Sequence, residues 1–326
     1  MFKIGRVAHT LPHLLADTVE IALAFGEYDQ ISTTDLLGII RQSPKPAQEL
    51  LNLVDEDIDD DDAPDDLDGA QQTEREQGYI EECWRQLAFR AGAFANSYPY
   101  VLDGEILRIR EDLDYDKQLY ILLLACSRTR SFMGKGVTQR LADIFELISA
   151  ECMRQMMSPS GKVFMFGPNS DDRAKLFGKN LTDALPKLVG EMGMRLKAGW
   201  QKNYGTSGDG KIDIVGVYPF DRFAAGIQVV IGQCASMEEE GNWERKRKEA
   251  MLQFQAAAFD YLVEPQGVLF IPVCFRQPDG DWVRPNSVAA VITMDRLRIM
   301  TVLADKGGEV FDVTKLLESA GIAIAA

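Results

Sequence analysis

At 326 residues, with 46% hydrophobic content and a formal net charge of −15, the chain has enough apolar material for a buried core and, at roughly 100–200 residues per domain, for about two domains. No run approaches about 18 consecutive apolar residues, and the opening MFKIGRVAHTLPHLL has neither the apolar core nor the cleavage site of a secretory signal. The expectation is a cytoplasmic protein without membrane attachment.

The five cysteines, Cys83, Cys126, Cys152, Cys234 and Cys274, form no C-x-x-C pair, and the only histidines are His9 and His13. Zinc sites, disulfide frameworks and a Ser/His/Asp triad are therefore not expected, and the thiols read as reduced and mostly buried.

In chain order, residues 1–54 read as an N-terminal helical segment. ISTTDLLGIIRQ carries a Ser/Thr/Asp start signal before Leu36, Leu37, Ile39 and Ile40, and PAQELLNLV repeats the pattern after a Pro-marked break. The pair has the outline of half a helix-turn-helix, with plain packing as the expected role. Residues 55–73 read as an acidic linker, because DEDIDDDDAPDDLD holds ten carboxylates and no base. Residues 74–160 read as a helical domain, from the three- and four-residue apolar spacing of YIEECWRQLAFRAGAFA, YDKQLYILLLACSRTR and VTQRLADIFELISAECMRQMM. YPYVLDGEILRI between the first two looks like a turn with short extended pieces.

Residues 161–326 change character. A helix over about 181–198 leads to two extended apolar segments, then a helix over about 242–262, the strand GVLFIPVCF, a Gly/Pro/Asp turn and SVAAVITMDRLRIMTVL. That succession predicts an α/β core on a small mixed sheet, so the chain as a whole is of the mixed α+β class.

Within this half, GTSGDGKIDIVG matches most of the phosphate-binding loop G-x-x-x-x-G-K through Gly205, Gly210 and Lys211, but Ile212 stands where Ser or Thr belongs. Such a loop needs a strand before it and a helix after it. WQKNYG and KIDIVGVYPF supply the reverse, so the stretch reads as a turn on Gly208 and Gly210, with Asp209 as a turn residue capping its own backbone, feeding Asp213 into a strand.

A carboxylate in an apolar strand needs a metal or a cationic partner. In IQVVIGQCA the residues Ile227, Val229, Ile231, Gln233 and Ala235 share a face, which puts the Gln233 amide within reach of whatever Asp213 binds. Asp213 and Gln233 together can present oxygens to a hard divalent cation, Mg²⁺ or Mn²⁺. Lys246, placed in the first turn of the next helix three residues after Trp243, supplies the cation a phosphate would need. The bland alternative for Lys246 is a solvated face with Arg245, Arg247 and Lys248, over a packing stripe of Trp243, Arg247, Ala250, Phe254, Ala257 and Tyr261. Asp295, Arg296 and Arg298 of MDRLRI read as a surface pair or a contact to nucleic acid, with the structural role favoured.

On these residues the chain resembles the PD-(D/E)XK nuclease superfamily, in a version with Gln as second ligand. Asp213 matches the motif's Asp and Gln233 its Glu/Gln, whereas the Lys position holds Ala235. GQCASMEEEGNWERK is similar to uncharacterised prokaryotic members in which the lysine has migrated to the neighbouring helix, and Lys246 matches it.

The resemblance implies a restriction-endonuclease-like core over about 180–300 and a helix-borne acid, Glu191 in LVGEMG or in reserve Glu146 in IFELIS. It implies a Mg²⁺-dependent endonuclease acting most plausibly on DNA in restriction or anti-phage defence. The partners it allows are a protein of such a system and a second copy of the chain. A non-catalytic nuclease-fold scaffold that binds nucleic acid or a protein is the alternative, because Ala235 replaces the lysine and Gln233 carries no charge.

Overall fold

The computed structural model describes residues 2–4, 10–42, 69–204, 208, 210–221, 224–236, 240–251, 256, 258–304 and 308–325. The acidic run 55–68, PAQELLNLV, His9, Gly205, Asp209, Phe254 and Ala257 lie outside them. The chain divides into two compact units, one of residues 1–138, 273–283 and 309–326, the other of 139–272 and 284–308. The divide thus falls at 138/139 instead of the expected 160/161, and the second unit is interrupted by a segment belonging to the first.

The first unit holds helix α1 (Pro12–Phe25), strand β1 (Gln30–Ser32), α2 (Thr33–Gln42), α3 (Gly69–Phe94), strands β2 (Tyr100–Asp103) and β3 (Ile106–Ile109), and α4 (Tyr115–Ser127). Helix α3 begins inside the expected linker. The extended pieces of YPYVLDGEILRI are a hairpin whose two-residue turn opens on Gly104 at φ +58°, a conformation glycine adopts without steric cost. The three strands form an antiparallel sheet in the order β1-β3-β2.

Nearly every residue of α1 is buried, Asp17 and Glu20 included, and both carboxylates meet Arg90 of α3 at 2.7 Å. The hydroxyls of Tyr98 and Tyr120 donate to Glu20 at 2.7 and 2.8 Å, which satisfies the buried charge further. His13, buried in the same helix, stands edge-on to Phe275 in a packing role.

The second unit is built on a mixed sheet. After α5 (Val137–Met156) come β4 (Lys162–Met165), α6 (Leu181–Glu191), β5 (Arg195–Leu196), β6 (Ile214–Tyr218), β7 (Gln228–Cys234), α7 (Glu240–Ala250), β8 (Phe259–Asp260), β9 (Gln266–Phe270), β10 (Ile292–Met294) and α8 (Arg296–Ala304). A further helix, α9 (Val313–Ala320), returns to the first unit. The sheet order is β10-β9-β7-β6-β4, with β10, β9 and β7 parallel and β6 and β4 antiparallel to their neighbours. The expected mixed α+β class and small mixed sheet are therefore present.

The helices expected at 181–198 and 242–262 are shorter. The first ends at Glu191 and the second at Ala250, and within the remainder of the two expected spans lie the short strands β5 and β8, which pair with each other.

Side chains alternate across the sheet. One face of β6 and β7, with Val215, Val217, Val229 and Ile231, closes on Leu181, Leu185, Leu188 and Phe259 in an apolar core. On the other face Met153 of α5 lies against Gly216 and Gly232, which have no side chain to hold the helix away.

Candidate functional site

Asp213 stands immediately before β6, and its carbonyl accepts the Phe166 N–H at 2.7 Å, which continues the β4–β6 ladder by one step. Ile214 pairs with Gly232, so the antiparallel register sets Asp213 opposite Gln233. Both extend the face that carries Val215 and Ile231 into the core, and they are 2% and 0% exposed. A carboxylate so placed is stable only with bonded partners. Its Oδ2 accepts the Cys234 N–H at 2.8 Å and the Lys246 ammonium at 2.8 Å. The same ammonium donates to Gln233 Oε1 at 3.1 Å. The structure thus brings Asp213, Gln233 and Lys246 together.

The amide of Gln233 is oriented from the turn before β6. Its Nε2 donates to the Lys211 carbonyl at 2.5 Å, so its oxygen is the end left for Lys246. That carbonyl is aimed by left-handed backbone at Gly208, Gly210 and Lys211, with φ of +91°, +63° and +61°. Lys211 is not a glycine, so the turn carries local strain at the point that fixes the amide. The turn leads into strand β6, not into a helix, so the context a phosphate-binding loop requires is absent.

Lys246 lies in the second turn of α7, one turn later than expected, because the helix starts at Glu240. Trp243 and Ala250 face inward as anticipated. The Arg247 guanidinium donates to the Asn286 carbonyl, and Lys248 is exposed. Helix α7 can lie close to the sheet because Gly267 of β9, opposite Ile231, has no side chain; a Cβ there would meet the Ala250 carbonyl oxygen at 2.5 Å. Glu249, which sequence reasoning passed over, is buried on α7 with Oε2 4.0 Å from the Lys246 ammonium. Its Oε1 lies 3.1 Å from Arg245 and 3.8 Å from Lys211. Its spacing of three from Lys246 was the available signal.

Glu191 is not brought to this cluster. It ends α6, is 44% exposed, and pairs at 3.4 Å with Lys162, whose strand partner is Val217, at the far end of β6 from Asp213. Glu146 lies nearer. A Cβ on Gly167, next to Phe166, would meet its Oε2 at 2.7 Å. Glu146 and Met153 are seven residues apart and share a face of α5, so the methionine packing on Gly216 and Gly232 directs the acid toward this end of the sheet. Burial first, then the carboxylates of Asp213 and Glu146, hold the Cys234 thiol well above its ordinary range, so one thiol senses both acids.

Arg173, also unanticipated, opens a π-helical turn at Arg173–Phe177 and is 1% exposed. Its guanidinium stacks over the Phe166 ring at 4.7 Å and donates to the Phe166 and Gly208 carbonyls at 3.2 and 2.6 Å. It fastens both backbone segments that position Asp213 and Gln233. Asp295 and Arg296 are fully buried and not at the surface as expected, with Asp295 capping the Arg298 N–H at 3.1 Å and Arg296 donating to the Pro272 carbonyl at 2.8 Å, bonds that hold the backbone in place.

Among the described residues, no group of three or more His, Cys, Asp and Glu side chains is gathered as a ready metal site. The donors at hand are hard oxygens, the Asp213 carboxylate and the Gln233 amide, and a cation already sits on them in the form of the Lys246 ammonium. In kind they fit Mg²⁺ or Mn²⁺, which is held by few protein oxygens and keeps waters. The chain matches no protein-family model, no curated protein and no solved structure.

Proposed function

We propose that the chain is a metal-dependent nuclease that hydrolyses phosphodiester bonds, with DNA as the substrate and restriction or anti-phage defence as the setting. The observation that carries this reading is the convergence of one lysine from a helix on a strand carboxylate and a strand amide, at 2.8 and 3.1 Å. It is the arrangement that the resemblance to the PD-(D/E)XK superfamily calls for, with the lysine supplied from α7.

In this reading Asp213 and Gln233 hold the divalent cation, with Glu146 as the helix-borne acid in place of Glu191. The cation supplies charge for the phosphate and an acidified water. Lys246 donates to the phosphate oxygens as charge builds on them, and the buried backbone around Asp213 keeps the carboxylate aimed without rearrangement. Arg245 and Lys211, which share Glu249 with Lys246, offer further positive charge for a polyanion.

The test is a cleavage assay with Mg²⁺ and Mn²⁺ on single- and double-stranded DNA and RNA. Asp213→Asn should lose at least ~10²-fold in rate, the loss typical of one preorganised electrostatic group. Cleavage at the parent rate by that variant sinks the assignment.

One observation favours a second reading, a nuclease-fold scaffold that binds nucleic acid or a protein. The Asp213–Lys246 pair neutralises the buried carboxylate from within the chain. Calorimetry separates the two, since divalent binding that depends on Asp213 belongs to the enzyme only.

A further inference from the structure

Lys246 holds two acceptors at once, Asp213 Oδ2 at 2.8 Å and Gln233 Oε1 at 3.1 Å, the same oxygens that would hold the divalent cation. Two cations cannot share oxygens buried this deeply, because like charges repel strongly where water does not screen them. The ammonium must leave for the cation to enter. A second acceptor lies beside it. Glu249 Oε2 is 4.0 Å from that ammonium, one helical turn along α7, and its carboxylate is only 9% exposed. Arg245 and Lys211 hold its other oxygen at 3.1 and 3.8 Å, so Oε2 is presented toward Lys246 in a fixed direction. A lysine side chain is a point charge on a flexible stem and can make so short a swing.

We propose that Lys246 is a two-position switch and that Glu249 is the positioning residue that receives its ammonium when a divalent cation takes Asp213 and Gln233; the inference rests on the nuclease reading of the site. Without the cation, Lys246 neutralises the buried Asp213 carboxylate and keeps the strand ends closed. With it, Lys246 stays beside the cation site on Glu249, where a phosphate oxygen can reach it. The affinity of the site for divalent cations is then set by the difference between the two lysine positions.

The experiment is calorimetric titration of Mg²⁺ and Mn²⁺ into the full chain and its variants Lys246→Met, Lys246→Arg, Glu249→Gln and the Lys246→Met/Glu249→Gln double. Lys246→Met removes the competing charge and should bind about tenfold more tightly, the effect of one charge-assisted hydrogen bond no longer broken. Glu249→Gln removes the second position and should bind about tenfold more weakly, and the double variant should return to the affinity of Lys246→Met.

Arg in place of Lys246 keeps the charge and grips both oxygens with a planar fork, so it should weaken binding. It tests the switch even where Lys246→Met does not fold. A Lys246→Met protein that binds no more tightly than the parent, a Lys246→Arg protein that binds equally well, or Glu249→Gln losses that persist in the double variant overturn the switch while leaving the nuclease reading intact. Absence of divalent binding by both the parent and Lys246→Met overturns the switch and the nuclease reading together.

Discussion

At the scale of single residues, the site depends on which end of the Gln233 amide faces which neighbour. Its nitrogen meets the Lys211 carbonyl at 2.5 Å and its oxygen meets Lys246 at 3.1 Å. Gln233→Glu keeps the second contact and destroys the first, since a carboxylate oxygen has no proton to give the carbonyl. The added charge near Lys246 and the lost donor oppose each other. The donor is buried, so the loss should dominate and cost about 1–3 kcal/mol, read as a lowered urea midpoint without added cation. If the Glu variant is as stable as the parent, the Lys211 carbonyl is not what orients this side chain.

The same scale explains the chemistry of the thiols. All five cysteines are free and buried, and burial pushes Cys152 up to about 12. At pH 8 roughly 10⁻⁴ of such a thiol is ionised, against about a quarter of an ordinary one. A disulfide reagent should therefore report almost no fast-reacting thiols in the folded chain and five in denaturant. Fast reaction of one thiol in the native protein would show that its burial is not maintained in solution.

At the scale of elements, glycines set how closely helices approach the sheet. Gly267 is opposed by the Ala250 main-chain carbonyl at 2.5 Å from where a Cβ would stand, whereas the atoms nearest such a Cβ at Gly216 belong to methionine side chains, the two sulfurs at 3.2 Å. Backbone cannot yield as a thioether can. Gly267→Ala should cost about 1–3 kcal/mol through a displaced α7, and the same shift should carry Lys246 off Asp213 and Gln233; Gly216→Ala should be milder. Comparing the two melting temperatures checks it, and equal losses would refute the idea that α7 rests on Gly267. The helix signals in the sequence were sound for where α6 and α7 begin but not for where they end. Nothing in the periodicity of 192–198 or 251–262 distinguishes a helix from a strand that needs its partner, and β5 and β8 exist only as a pair.

At the scale of the whole molecule, each compact unit hides a charged centre, and the two differ in kind. In the first unit Arg90, Asp17 and Glu20 are all fully buried. Burial works against the Arg90 charge, but Glu20 and Asp17 outweigh it and hold the guanidinium well above its ordinary range. Because Glu20 also receives two tyrosine hydroxyls, Glu20→Gln leaves a buried charge poorly matched and should cost about 3–5 kcal/mol, a large part of a typical net stability. Urea unfolding followed by circular dichroism checks this, and a midpoint unchanged from the parent would mean that Asp17 alone suffices for Arg90. In the second unit the buried charge is tied to Lys246, which is 17% exposed and so has a path to solvent. A centre closed to solvent on every side suits structure, and one whose cation keeps a path to solvent suits the chemistry proposed for it.

The sequence by itself determined the class of the fold, the two segments that form β6 and β7, and Asp213, Gln233 and Lys246 as candidates, because apolar alternation assigns Asp213 and Gln233 each to a face of its own strand; the register that sets them opposite each other came with the folded sheet. It also determined that the G-x-x-x-x-G-K stretch is a turn into a strand. The tertiary structure alone decided which distant acid approaches the site. Glu191 and Glu146 both sit on amphipathic helices, and the packing of Met153 on Gly216 and Gly232 sets α5 so that Glu146 faces Gly167. It alone decided the reach of Lys246, which depends on the missing side chain of Gly267 in another strand, and the roles of Arg173 and Glu249, since a buried charge is indistinguishable in sequence from a solvated one. Contacts along one strand follow from a period of two; contacts between elements depend on volumes that are set only when the core closes.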